Sequence, residues 1–374
     1  MNTAFVNEPG SVASALTQRI RSAIEAAGGE LPFERYMAMA LYEPALGYYA
    51  SGSPKFGHFP EQGSDFVTAP ELSPLFGRAL ARQVAQALQA SGSQQIWEFG
   101  AGSGALAESL IDALDAAGQP FAQYTIVDLP GELRARQRER LLRFGERVRW
   151  ATELPESLEG VLIGNELLDA MPVTPLARVN GVWHERVVVW NGERLDWAQR
   201  PTALRPPLDV PGEHDYLTEV HPQAEAFVRT VADRLRRGLA LFIDYGFPEA
   251  EYYHPQRHMG TLVGHRRHQR DDDVLQAPGE KDITAHVNFT GVALAAQDSG
   301  MDVLGYTSQG RFLINLGVVE LAQGGGPRES TALQMLVHEH EMGELFKVIA
   351  LAPGGSAQHW VPLGFAQGDR THRL

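Results

Sequence analysis

The run Ile96-Trp97-Glu98-Phe99-Gly100-Ala101-Gly102-Ser103-Gly104 constrains this chain more than any other stretch, because it reads as a short apolar strand that enters a glycine-rich turn and opens a helix. Glycine tolerates positive φ and carries no Cβ, so three glycines in five residues let backbone N–H groups and a helix N-terminus come up against a polar or anionic ligand. The spacing bears on which ligand. A dinucleotide fingerprint reads G-x-G-x-x-G, whereas here the glycines alternate as G-x-G-x-G and Glu98 stands two residues before the first. That pattern favours S-adenosylmethionine over a nicotinamide dinucleotide. A tight strand-to-helix connection without a ligand is the plainer alternative.

The next strand strengthens the ligand reading. After a helical stretch over 105–117, the segment Tyr124-Thr125-Ile126-Val127-Asp128 is a buried β-type run that ends in an acid. An acid at that carboxyl end accepts hydrogen bonds from both ribose hydroxyls of an adenosine, in either class of cofactor. The plainer alternative is that Asp128 only caps the turn before Pro130.

From Gln94 onward, helical and strand patterns alternate, which predicts a parallel sheet with helices on both faces. Candidate strands are 94–99, 123–128, 146–150, 160–165, 239–245, 301–307 and 345–351, with helices over 105–117, 131–143, 221–237 and 290–299. The expected fold class is α/β, a seven-stranded Rossmann-like sheet with an N-terminal helical layer and β-hairpin and loop insertions. Val173 to Asp196 carries Val-rich runs split by Asn180-Gly181 and Asn191-Gly192, the strongest short hairpin signal, and predicts an antiparallel excursion. Four prolines over 199–213 predict an irregular connection, and 246–289, rich in Gly, His, Arg and Asp, reads as a long surface insertion. The first 90 residues show no βαβ pattern and form an expected N-terminal lid region, with 91–374 as the main domain and insertions at about 173–213 and 246–289. Tyr42 to Tyr49 and Gly63 to Glu71 combine aromatic rings with Gly and Asp, as a lid over a ligand or a packed Ω-loop does.

Charge excludes several classes. With a formal net charge of −14 over 374 residues and only short basic clusters set among acids, the chain lacks the stripe that a nucleic-acid backbone requires. Zero cysteines rule out disulfides, thiolate catalysis and cysteine-ligated metals, and fit a reducing compartment. No window approaches the roughly 18 apolar residues of a spanning helix, and the N-terminus lacks the order of a signal peptide, so a cytoplasmic protein is expected. Histidines cluster at His254, His258, His265 and His268 and again at His338 and His340, but Pro255 interrupts the first set and no H-E-x-x-H order occurs, so no metal site is expected. The absence of a G-x-S-x-G elbow and of a Walker lysine sets hydrolases and phosphoryl transfer aside.

The fourth candidate strand ends in Ile163-Gly164-Asn165-Glu166-Leu167-Leu168-Asp169-Ala170-Met171-Pro172. Ligands of an open parallel sheet bind beyond the carboxyl ends of its strands, so Asn165, Glu166 and Asp169 are expected to face the same crevice as the glycine turn. Paired carboxylates suit a cationic guanidinium nucleophile, whose plane they fix by bidentate hydrogen bonds. In the plainer alternative, Asp169 caps a turn and Asn165 satisfies backbone groups.

Together these blocks resemble the MidA-like family, whose mitochondrial members are the complex I assembly factors described as protein arginine methyltransferases. The resemblance rests on Tyr42 to Tyr49, Gly63 to Glu71, Glu98 to Gly104, Val127-Asp128 with Glu132-Leu133-Arg134, Asn165 to Pro172, Asp244-Tyr245-Gly246, Gly260-Thr261-Leu262 and Asp282 to Phe289. It implies a class I methyltransferase fold, S-adenosylmethionine as cofactor and, in the mitochondrial relatives, symmetric dimethylation of an arginine in a complex I subunit. This chain departs from the family's usual residues at Phe99, Leu167, Leu168, His265 and Asn288; of these, Leu167 and Leu168 bear on the acceptor more than on the cofactor. The expected roles place Glu98, Gly100, Gly102 and Gly104 at the methionine end, Asp128 at the ribose, Asn165, Glu166 and Asp169 around the transferable methyl, and Asp65, Phe66 and Glu71 closing over the cofactor. A protein is the expected partner. A cofactor-binding assembly chaperone without catalysis and, more weakly, an NAD-dependent oxidoreductase are the rival readings.

Overall fold

The alternating patterns assemble into the seven long strands of one eight-stranded sheet in the computed structural model, which describes residues 9–51, 68–128, 132–266 and 269–374. The long strands are β1 (Gln95–Phe99), β2 (Gln123–Val127), β3 (Val148–Ala151), β4 (Leu158–Asn165), β5 (Leu235–Phe247), β6 (Met301–Ser308) and β7 (Phe346–Pro353), and the two-residue strand Val287–Asn288 pairs in parallel with the end of β5. They lie in the order β3-β2-β1-β4-β5-β7-β6, so the direction of strand addition reverses between β1 and β4. In an open α/β sheet that switch point leaves a crevice at the carboxyl ends.

The first five strands pair in parallel, as expected. β7 does not. It runs antiparallel to both β5 and β6, because the helices between β6 and β7 stay at one end of the sheet and return the chain beside the place where β6 finished, pairing Ser308 with Lys347. An unbroken apolar run carries no sign of its own direction.

Alternate residues along each strand face opposite layers. On β5, Leu239, Leu241 and Ile243 join one core with helices α3 (Leu75–Ser91) and α4 (Ala105–Ala116), while Ala240 and Phe242 join another with α6 (Pro222–Arg234) and α7 (Phe289–Asp298). The helices of the first 90 residues therefore divide between two places. α3 packs on the sheet, whereas α1 (Pro9–Ala26) and α2 (Phe33–Tyr42) bury Leu16, Ile20, Phe33 and Tyr36 together with Val188 of the antiparallel excursion. In that excursion, strands 174–179, 182–190, 195–201 and 216–220 pair side by side, and Asn180 and Gly181 both take the positive φ that a tight hairpin demands.

The segment 246–289 is not the solvated loop that its composition suggests. It contains a three-stranded antiparallel sheet over 263–266, 269–271 and 282–284, and it buries Val274, Leu275 and Ile283 against α2, with the Tyr36 hydroxyl donating to the Val274 carbonyl at 2.7 Å. Its charges are largely answered from within: the buried Lys281 ammonium pairs with Asp271 and donates to the Asp273 carbonyl at 2.8 Å, and Arg266 meets Glu280 at 2.7 Å. A buried charge persists only when paired in this way.

The Gly260-Thr261-Leu262 block docks on a buried carboxylate. Glu219 accepts from the Tyr252 hydroxyl at 2.8 Å, the Thr261 hydroxyl at 2.9 Å, and the backbone N–H groups of Thr261 and Leu262. Gly260 has φ +71°, and a Cβ there would lie 2.4 Å from Glu219 Oε1, an oxygen those bonds hold in place. Gly260→Ala is expected to destabilise the fold by about 2–4 kcal/mol through backbone strain and broken Glu219 bonds; a urea-unfolding midpoint equal to that of the wild type would contradict this. Among the described residues, no helix is long and apolar enough to cross a membrane.

Candidate active site

Beyond the carboxyl ends of β1, β2 and β4 lies a cavity of about 890 Å³. The glycine turn forms one wall. Gly100 and Gly102 take φ of +63° and +53°, and the Gly100 N–H donates to the Val127 carbonyl at 3.2 Å, which ties the turn to β2. Gly104, at φ +83°, is the cap from which α4 starts; it packs toward Leu141 and Gln137 rather than on the cavity wall. Glu98, at the end of β1, is buried, accepts from the Tyr124 hydroxyl at 2.7 Å, and is pushed up to about 7 by burial.

Asp128 lines the cavity where β2 ends. One oxygen accepts at 2.8 Å from the Gln137 amide, which also donates to the Gly102 carbonyl at 2.9 Å while its own oxygen accepts from the Trp150 indole at 2.9 Å. Gln137, fully buried on α5 (Glu132–Leu141), thus binds the acid of β2 to the turn after β1. Nothing in the sequence singles it out: it sits in a strongly polar helix and is recognised only by what it touches. Glu71 also faces the cavity, but its carboxylate is taken by the Ser103 hydroxyl and by Arg140 at 3.4 Å, so it fastens the short helix Ala69–Leu72 to the glycine turn. Asp65 and Phe66 lie outside the described residues.

The loop after β4 supplies a second wall. Glu166 has φ +51°, a costly conformation for a residue with a Cβ, and its N–H donates to the Ile243 carbonyl at 2.9 Å. The Asn165 amide donates to Glu166 Oε1 at 3.1 Å. Burial, then the neighbouring Asp169, push Glu166 up to about 8. The loop curls around Asp244 of β5, whose Oδ2 accepts from the N–H groups of Leu167 at 3.0 Å and Leu168 at 2.7 Å. Burial and the adjacent Asp244 and Asp282 carboxylates raise Asp169 well above the ordinary carboxylate range; two buried acids in contact cannot both ionise.

Asn165, Glu166 and Asp169 therefore share one cavity with Glu98, Gly100, Gly102 and Asp128. Residues not singled out individually by the sequence complete it. The Tyr49 hydroxyl donates to Asp282 Oδ1 at 2.8 Å, the Tyr42 hydroxyl donates to the Ala170 carbonyl at 2.7 Å, and Tyr245 lines the wall beside them. Each belongs to a block that stood out in the sequence, but the blocks lie far apart along the chain. Among the described residues the wall presents Glu71, Glu98, Asp128, Glu166, Asp169 and Asp282, and no lysine or arginine.

A raised carboxyl pKa sets the sign of a pH effect. In the unfolded chain Glu98 and Glu166 titrate near 4.5, and in the folded chain near 7 and 8. Their burial costs nothing while both states are protonated, and stability is lost as pH rises through the folded values. The cofactor-free protein is expected to lose about 5 °C of Tm between pH 6 and pH 9, and Glu166→Gln to flatten that slope; scanning calorimetry across the range would expose a slope of the opposite sign.

The turn, the acid after β2 and a wall with six carboxyl groups and, among the described residues, no lysine or arginine fit a nucleoside cofactor that carries a positive charge. A family profile for S-adenosyl-L-methionine-dependent methyltransferases matches residues 79–307. A Burkholderia thailandensis protein whose crystal structure holds S-adenosyl-homocysteine is 48% identical, superposes with a TM-score of 0.93 and is matched over 99% of both chains. The mitochondrial protein arginine methyltransferase NDUFAF7 of Danio rerio is 28% identical, over 87% of this chain and 84% of its own length. Its Drosophila melanogaster homologue is also 28% identical, over 94% and 86%. S-adenosylmethionine is the cofactor, and the chain belongs to the MidA-like family of S-adenosyl-L-methionine-dependent methyltransferases.

Proposed function

We propose that this methyltransferase acts on an arginine side chain of a protein, with a complex I-like subunit as the acceptor that the family resemblance suggests. The observation that carries the reading is the cavity wall: six carboxyl groups, no lysine or arginine among the described residues, and three tyrosines, Tyr42, Tyr49 and Tyr245. A planar guanidinium matches carboxylates bidentately and stacks on aromatic faces, which a compact ammonium does less well. The names of the Danio and Drosophila relatives point the same way.

When bound, S-adenosylmethionine supplies a methyl group on a sulfonium, open to in-line displacement. Glu98, Gly100 and Gly102 hold its methionine end, with Gly104 setting the start of the helix behind them. Asp128, oriented by the Gln137 amide, accepts the ribose hydroxyls. Glu71, fastened to Ser103 and Arg140, keeps the short helix Ala69–Leu72 against the glycine turn at the edge of the cofactor's cavity. Asn165, Glu166 and Asp169 shape the acceptor's end, where positioning of the nucleophile supplies most of the rate.

Incubation with tritiated S-adenosylmethionine and a bacterial lysate, followed by acid hydrolysis and amino-acid analysis, tests this. Label in methylated arginine is the expected result. Label in another residue type would refute the arginine reading, and cofactor binding without any transfer would favour an assembly chaperone.

A further inference from the structure

We propose that Asp282, oriented by the Tyr49 hydroxyl, is a carboxylate that grips the acceptor's guanidinium together with Glu166, and that Asp169 is a positioning residue locked to Asp244. This rests on the arginine reading above and assigns the binding groups within it.

A guanidinium is held by carboxylates that ionise around it. Asp169 is poorly suited to that role. It is buried, burial and the neighbouring Asp244 raise its carboxyl well above the ordinary range, and its backbone is held on both sides, with the N–H groups of Leu167 and Leu168 on Asp244 Oδ2 and the Ala285 N–H on its own carbonyl. What this pair does is shape the loop that carries Glu166.

Asp282 comes from another part of the chain. It begins the strand 282–284 of the segment 246–289, is 4% exposed, and still lines the cavity. Two contacts fix its place: the Tyr49 hydroxyl donates to Oδ1 at 2.8 Å, and three residues on, the Ala285 N–H donates to the Asp169 carbonyl at 3.0 Å, stitching this strand's continuation to the loop after β4. It stands within electrostatic reach of Glu166, Asp169, Tyr42 and Tyr49, each of whose protonated forms it favours. Tyr42 and Tyr49 stack with centroids 5.7 Å apart and planes 19° apart, a flat aromatic surface beside that carboxylate. A guanidinium plane has both an edge to bond and a face to stack here.

The test is a calorimetric titration of N-acetyl-L-arginine amide into the full-length protein saturated with S-adenosyl-homocysteine. Asp282→Asn is expected to weaken arginine binding by at least 20-fold and leave S-adenosyl-homocysteine affinity within about twofold, Tyr49→Phe to weaken it by about fivefold, and Asp282→Glu to recover part of the loss. In turnover, Asp282→Asn should raise KM for an arginine peptide far more than it lowers kcat. Arginine affinity unchanged by Asp282→Asn would overturn the proposal, as would a wild type that does not bind the amide. In that last case, tritium appearing on arginine in the lysate assay would leave the arginine reading standing while Asp282 loses its role.

Discussion

Glu166→Gln is expected to lower kcat for methyl transfer by about 10³-fold while S-adenosyl-homocysteine binding stays within about threefold. The substitution keeps the size of the side chain and its bond from Asn165, and removes only the ability to become an anion. In the wild type, burial and Asp169 hold Glu166 at about 8, so the empty site retains its proton near neutrality and gives it up when a cation arrives. Two consequences follow from that sign. The wild-type rate at subsaturating acceptor, which follows kcat/KM, rises with pH up to about 8, the value of the empty site, and the variant has no such rise. Initial rates of tritium transfer between pH 6 and 9.5 measure both, and a variant within fivefold of the wild type would remove Glu166 from the reaction.

Gly102→Val should cost at least 100-fold in S-adenosyl-homocysteine affinity. The turn holds residue 102 at φ +53°, where a β-branched residue is a genuine outlier, and the same residue lines the cavity, so the added methyls meet the ligand as well as the backbone. Forcing the turn to relax also pulls the Gly102 carbonyl from the Gln137 amide, and with it the link to Asp128. The loss corresponds to about 2.7 kcal/mol or more. Isothermal titration reads the affinity, and circular dichroism at the same temperature separates a lost site from a lost fold. Wild-type affinity in the variant would mean that the turn does not carry the cofactor.

Much of this architecture was legible before any contact was known, because the signals are local. Apolar periodicity located seven strands and four of the helices between them, though none of those between β6 and β7, Asn180-Gly181 located a hairpin, and Gly100 to Gly104 marked the turn whose first residues line the cavity. Each depends on residues within a few positions of one another, where sterics and side-chain period act directly. Asn165, Glu166 and Asp169 were legible as a group for the same reason: they end a strand that must point at the crevice.

What composition and period left undetermined are the contacts between distant segments and the pairing of charges. The reversal of β7 comes from where the preceding helices return the chain. The residues 246–289 look like a solvated loop because their charges are countable, while the partners that bury them, such as Asp271 for Lys281, are not. Asp282 and Tyr49 stand 233 positions apart and become one unit only through folding, and Gln137 acquires its place from Gly102, Asp128 and Trp150 together. The sequence by itself determined most of the scaffold, the glycine turn beside the cavity and one wall of acids, since local backbone chemistry decides these. The tertiary structure alone decided which acids are brought together and raised above the ordinary carboxylate range, since desolvation and Coulomb interactions depend on distance in space rather than along the chain.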